Sequence, residues 1–148
     1  MENRNLEHWF LDKQGKLLAW REWRSQLSAM DTASAITEAA EWWKFVPLVN
    51  KTFDPWRNET WPTPWELISS GSFCTSAQGL GIFYSLILSG IDCQLILAIV
   101  DQIPRLMVLL DDNKLLNYYD GEAIDIGSVD LQILQTWTSS DMARLVKV

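Results

Sequence analysis

The chain has 148 residues, of which 48% are hydrophobic and 21% are charged, and this composition excludes a wholly disordered or fibrous protein. Lys and Arg total 12 against 19 Asp and Glu, which gives a formal charge of -7 and disfavours non-specific binding to phosphate backbones. Two cysteines and one histidine are too few for a disulfide framework or a His-rich metal site.

The distribution of tryptophan divides the chain into two parts. Eight of the nine tryptophans lie in the first 65 residues. We expect a single domain over residues 1–148, because chains of this length usually bury one core. Within it, a Trp/Pro-rich helical and loop part covers residues 1–64, and a central helix plus an antiparallel sheet covers residues 65–148.

Apolar spacing predicts two helices near the N-terminus. Apolar residues recur every three or four positions over residues 16–30, as on the buried face of a helix. Asp31 is a candidate N-cap for a second helix over residues 32–45. Pro47 ends that helix, because the residue before a proline avoids helical geometry.

Residues 47–64 hold four of the five prolines and form a loop that we expect to be ordered by burial of its aromatic side chains. At its end, Thr63 and Glu66 have the spacing of a capping box, with Pro64 at the first helical position. A short helix is therefore predicted from Pro64 to Gly71.

The next helix is expected to be the central one. Ser72 is its candidate cap, and Gly90 closes it. Gly79 and Gly81 lie in its interior, where each costs about 1 kcal/mol relative to alanine. We expect the close approach of another backbone to compensate for that cost.

Apolar runs in the second half predict strands over residues 93–100, 106–110 and 115–120, the last two joined by a turn at residues 111–114. A further short strand is expected at residues 123–126 and a helix near residues 141–146. Helices followed by an antiparallel meander predict an α+β fold, in which the Cys-bearing central helix packs on a small sheet.

Cys74 is the candidate reactive residue. It is predicted to lie in the first turn of the central helix, where the helix dipole favours an anion and lowers the pKa of a thiol. Such a thiol can act as a nucleophile. The alternative interpretation is a buried cysteine that only fills space.

The order of elements around Cys74 resembles the transglutaminase-like branch of the papain-like cysteine proteins. In that family a nucleophilic Cys opens a helix, a His begins a following strand, and an Asp lies on the next strand. Cys74, the strands that follow and Asp120 match this order over residues 70–121. The resemblance implies the fold of a cysteine hydrolase.

The general base of that family is missing from the expected place. By the order of elements, the His would fall near Pro104 or Arg105, and neither side chain can accept a proton. His8 lies in the N-terminal segment and would have to fold across the domain to complete a Cys74–His8–Asp120 site. We therefore expect a pseudoenzyme, in which Asp120 pairs with Arg105 or caps the turn before Gly121.

A second resemblance concerns the spacing of Trp and Pro. The segments that carry it are WW at residues 42–43, PLVN at 47–50, WPTPWEL at 61–67, FC at 73–74 and AQGLGI at 77–82. Together they are similar to small proteins of tailed bacteriophages, especially those with contractile tails. This resemblance covers residues 40–90. It implies a component of the neck, tail or baseplate of the virion.

Several aromatic and basic residues are candidates for binding a partner protein. Tryptophan buries a large area with few rotatable bonds and is enriched at interface hot spots. The candidates are Trp56, Trp61, Trp20, Trp23 and Arg105. For Trp56 and Trp61 the alternative is that they cover the open face of the sheet.

These observations favour a non-catalytic structural or assembly protein of a phage particle that binds neighbouring subunits. The alternatives are a cysteine hydrolase using Cys74 and a phage accessory protein that binds a host factor. We expect no cofactor, no metal, no nucleic-acid partner and no membrane span, because polar residues interrupt the apolar stretch at 80–100. Expected partners are other virion proteins or copies of the chain itself. The N-terminus lacks signal-peptide features, and we therefore expect the protein in the virion or the host cytoplasm.

Overall fold

The computed structural model describes residues 8–146 and confirms the expected α+β fold. The helices are α1 (Lys13–Ala29), α2 (Thr32–Lys44), α3 (Pro64–Ser70), α4 (Thr75–Leu88) and α5 (Ala143–Val146). The strands are β1 (Gln94–Val100), β2 (Ile103–Leu109), β3 (Lys114–Leu116), β4 (Ala123–Asp125) and β5 (Gln132–Trp137). The structure does not describe residues 1–7 or residues 147–148. The expectation that the N-terminus lacks signal-peptide features concerns residues 1–7 and so lies outside the described part.

Side-chain caps fix where the first helices begin. The Asp12 carboxylate accepts the Gly15 N–H at 2.7 Å, so α1 begins three residues before the predicted start. Asp31 caps α2 as predicted and accepts the Ser34 N–H at 2.9 Å. The predicted capping box of α3 is also present, and Gly71 ends that helix with a φ of 78°.

The strands form one antiparallel sheet in the order β4-β3-β2-β1-β5. The first four are the predicted meander, but β5 was not predicted and pairs with β1 at the opposite edge. The connection from β4 to β5 therefore crosses one face of the sheet. Ile126, Val129 and Leu131 from this connection pack on that face.

The other face of the sheet packs against α4, in which eleven of fourteen residues are buried. Strand β1 is buried on both sides, with Leu95 and Leu97 in the main core and Ile96 and Ala98 in the smaller cluster opposite. This explains why β1 is continuously apolar instead of alternating.

Most of the tryptophans are core residues that hold the first helices against α4. The buried ones are Trp9, Trp20, Trp23, Trp42, Trp43 and Trp61. The indole N–H groups of Trp20 and Trp43 both donate to the Ser85 hydroxyl of α4, at 3.1 and 3.0 Å. One buried hydroxyl thus joins α1 and α2 to α4.

Candidate functional site

Cys74 is the N-cap residue of α4 and does not lie within its first turn. The helix begins later than predicted because Phe73 is extended and forms a β-bridge with Leu48. The Phe73 N–H donates to the Pro47 carbonyl at 3.1 Å, and the Val49 N–H donates to the Phe73 carbonyl at 2.8 Å. The prediction that Ser72 caps this helix is therefore wrong, and Ser72 is exposed.

Cys74 lines a cleft of about 320 Å³. Cys74, Thr75 and Ser76 form its floor at the beginning of α4. One wall is the Trp/Pro-rich loop, and the other is the first part of β2. The wall residues are Asn50, Lys51, Phe53, Asp54, Pro55 and Trp56 on the loop and Ile103, Pro104 and Arg105 on β2.

The surroundings of the Cys74 sulfur lower the pKa of its thiol. Burial raises the pKa of this thiol, but hydrogen bonds from the Thr52 hydroxyl and from the backbone N–H groups of Thr52, Ala77 and Phe53 together lower it below its usual value. The Thr52 hydroxyl donates to the sulfur at 3.2 Å. For Cys93, burial and the charges of nearby carboxylates raise the pKa to about 12. Cys74 is thus the more acidic of the two thiols.

Pro104 and Arg105, which stand where the resemblance places the histidine, share the cleft with the sulfur. The Arg105 Nη1 donates to the carbonyls of Tyr118 and Asn117, at 2.9 and 3.4 Å. Asp120 is exposed, and the ion pairs among residues 8–146 do not include one between Asp120 and Arg105. The guanidinium is held by backbone carbonyls and not by the predicted carboxylate.

Asn117 fixes the beginning of α4 against β2. Its Nδ2 donates to the carbonyls of Thr75 and Leu106, at 2.8 and 2.9 Å, and the Leu106 N–H donates to the Ser76 hydroxyl at 3.3 Å. Asn117 has a φ of 73°, so β3 ends before it and does not continue to residue 120 as predicted. This role of Asn117 was not predicted, although asparagine adopts left-handed backbone more readily than most residues.

His8 lies in a separate aromatic stack. Its ring is 3.7 Å from that of Trp42, and Trp23 stacks on Trp42 at 4.3 Å. His8 lines a depression between the N-terminal segment, α1 and α2, and it does not line the cleft. The structure therefore does not bring His8 and Asp120 together with Cys74.

The candidate binding tryptophans separate into two groups. The side chain of Trp56 is 53% exposed at the rim of the cleft. Trp61 is buried, its indole N–H donates to the Asp54 carbonyl at 2.9 Å, and its ring packs edge-on against Trp137. Of the predicted binding residues, Trp56 and Arg105 line the cleft, whereas Trp20, Trp23 and Trp61 are buried and at most 3% exposed.

No protein-family model and no curated protein matches this chain. Among residues 8–146, no helix is long and apolar enough to cross a membrane. The same residues contain no group of three or more His, Cys, Asp or Glu side chains that could hold a metal ion.

Proposed function

We propose that this protein is a non-catalytic assembly component whose cleft at Cys74 binds a neighbouring protein. The observation that carries the proposal is that Cys74 lines the same cleft as Pro104 and Arg105, whereas the single histidine is stacked on Trp42. Acyl transfer requires a group that takes the proton of the nucleophile and returns it to the leaving group. Neither Pro104 nor Arg105 can do this.

The setting that we propose is a tailed bacteriophage particle, in its neck, tail or baseplate. The spacing of Trp and Pro over residues 40–90 supports this setting. Trp56 and Ile103, on opposite walls of the cleft, are 53% and 60% exposed and supply apolar contact surface. A subunit bound there would bury both side chains.

We expect the protein to be present at a fixed copy number in purified particles and Trp56→Ala to reduce its incorporation about tenfold or more, because interface tryptophans often contribute 2 kcal/mol or more. Quantitative mass spectrometry of the particles measures both quantities. Phe10→Ala is the matched control, since Phe10 is 79% exposed and lies away from the cleft. If the protein is absent from particles but is recovered with a host protein from infected cells, it is an accessory factor.

A cysteine hydrolase is the second candidate, and the lowered pKa of the Cys74 thiol is the observation that favours it. A thiolate in a cleft can attack a carbonyl carbon without help. The two candidates differ in what happens after this attack, because hydrolysis of the resulting thioester needs a base to activate water.

With p-nitrophenyl acetate we expect a burst of p-nitrophenolate without sustained turnover. The Cys74 sulfur forms a bond to the acetyl carbon, the ester C–O bond breaks, and the thioester then persists. The pH at which the burst rate reaches half of its maximum should lie below the usual thiol pKa of 9.0, and Cys74→Ala should abolish the burst while Cys93→Ala retains it. Sustained turnover would establish the hydrolase and contradict the non-catalytic proposal. A wild-type protein without any burst would eliminate the hydrolase.

A further inference from the structure

The walls of the cleft are held in place before any partner arrives. On the loop wall, the Asp54 carbonyl accepts the Trp61 indole N–H at 2.9 Å, and the Asp54 carboxylate accepts the Trp56 N–H at 2.9 Å. On the other wall, Ile103 begins a strand that pairs along its whole length with β1. Trp56 is therefore presented on a fixed backbone, which reduces the entropy lost on binding.

The cleft is also a cationic site in an acidic protein. Lys51 and Arg105 line it together with one carboxylate, that of Asp54, whereas the whole chain carries a formal charge of -7. Among the described residues, Arg105 uses only its Nη1 for protein hydrogen bonds, so its Nε and Nη2 can serve a ligand. Lys51 is exposed at the opposite wall. Two cations on facing walls favour carboxylates between them.

The size of the cleft limits its occupant. A volume of about 320 Å³ is at the small end of ligand pockets and holds a few side chains, not the face of a folded domain. The exposed apolar side chains of Trp56 and Ile103 favour a peptide over a polyphosphate chain. The overall charge of -7 also opposes the approach of a nucleic acid.

We infer that the cleft binds an extended acidic segment of a partner protein, with apolar side chains on Trp56 and Ile103 and carboxylates at Lys51 and Arg105. This inference rests on the proposed assembly function and specifies the chemistry of the partner. The bound segment would cover the Cys74 sulfur, since Cys74 is the floor of the same cleft.

The test uses the whole 148-residue chain and two synthetic peptides of equal leucine and proline content, one with aspartates and the other with asparagines at the same positions. Calorimetry at low salt should show that the aspartate peptide binds about tenfold more tightly than the asparagine peptide. This difference is what two partly exposed ion pairs, at Lys51 and Arg105, can contribute. The NMR signal of the Trp56 indole N–H should shift on binding, which places the peptide in the cleft. Lys51→Glu should remove most of the preference, whereas Lys13→Glu, the same change on exposed α1 surface, should leave it unchanged.

Equal affinity for the two peptides, or binding of neither, would overturn the acidic-segment inference. The inference would also be overturned, in favour of nucleic acid, if a single-stranded oligonucleotide shifted the Trp56 signal at a lower concentration than the aspartate peptide does. Failure of the inference can be separated from failure of the proposed function, because the loss of particle incorporation in Trp56→Ala is measured independently of charge. If that loss occurs without any preference for aspartate, the assembly role stands and only the partner chemistry is wrong.

Discussion

Gly79→Ala is expected to lower the free energy of unfolding by about 3–5 kcal/mol, although alanine is the better helix former by about 1 kcal/mol. A Cβ at this position would overlap the Leu106 carbonyl oxygen, and it would lie 2.8 Å from the carbonyl carbon and 2.9 Å from the Asn117 Nδ2. These atoms belong to the β2 backbone and to the side chain that ties α4 to β2. Relief of the overlap would require α4 to move away from the sheet.

Denaturant unfolding followed by circular dichroism measures this loss. Gly127→Ala is the control, because nothing lies within 4 Å of the Cβ it would add, and we expect a change within about 0.5 kcal/mol. Because residues at the beginning of α4 and in the first part of β2 both line the cleft, we expect a displacement of α4 to change the cleft as well. If Gly79→Ala is as stable as the wild type, then α4 does not pack against Leu106 as closely as the structure indicates.

Ser85→Ala is expected to destabilise the fold by about 2–4 kcal/mol, because it leaves two buried indole N–H groups without an acceptor. The Ser85 hydroxyl accepts from Trp20 and Trp43 and itself donates to the Gly81 carbonyl at 2.8 Å. All four residues are buried. Water cannot replace the lost oxygen without opening the contact of α1 and α2 with α4.

A double-mutant cycle isolates this hydrogen-bond effect from the loss of one oxygen atom. In a Trp20→Phe background one of the two indole N–H groups is gone. Ser85→Ala should therefore lower the free energy of unfolding by measurably less than it does in the wild type. Ser28→Ala removes a hydroxyl that bonds the Arg24 carbonyl on the exposed surface of α1 and should change stability by no more than about 0.5 kcal/mol. Additive effects of Trp20→Phe and Ser85→Ala would mean that the shared acceptor contributes little.

Local signals in the sequence were sufficient for most of the elements. The carboxylate of Asp31 and the capping box at Thr63 act within one helical turn, and the structure confirms both. The two interior glycines correctly indicated close packing, although the neighbour of Gly81 is the ring of Trp43 and not a backbone.

Signals that depend on distant partners were missed. Strand β5 carries no strong apolar alternation, because it is an edge strand with only Leu134 and Trp137 partly covered. The role of Asn117 depends on hydrogen bonds of its amide to the carbonyls of Thr75 and Leu106, which are 42 and 11 residues away in the chain. Thr52 likewise contacts the Cys74 sulfur across 22 residues of the chain, in a structure where the bridge between Leu48 and Phe73 joins the same two segments.

The sequence by itself determined an acidic α+β domain with a cysteine at the start of its central helix and no histidine beside it in the chain. Only the tertiary structure decided which tryptophan is available to a partner. Trp56 and Trp61 lie in the same Pro-rich loop, but Trp61 packs against Trp137 of β5 while Trp56 remains at the rim of the cleft. That difference depends on a strand more than seventy residues further along the chain, and no local pattern of the loop encodes it.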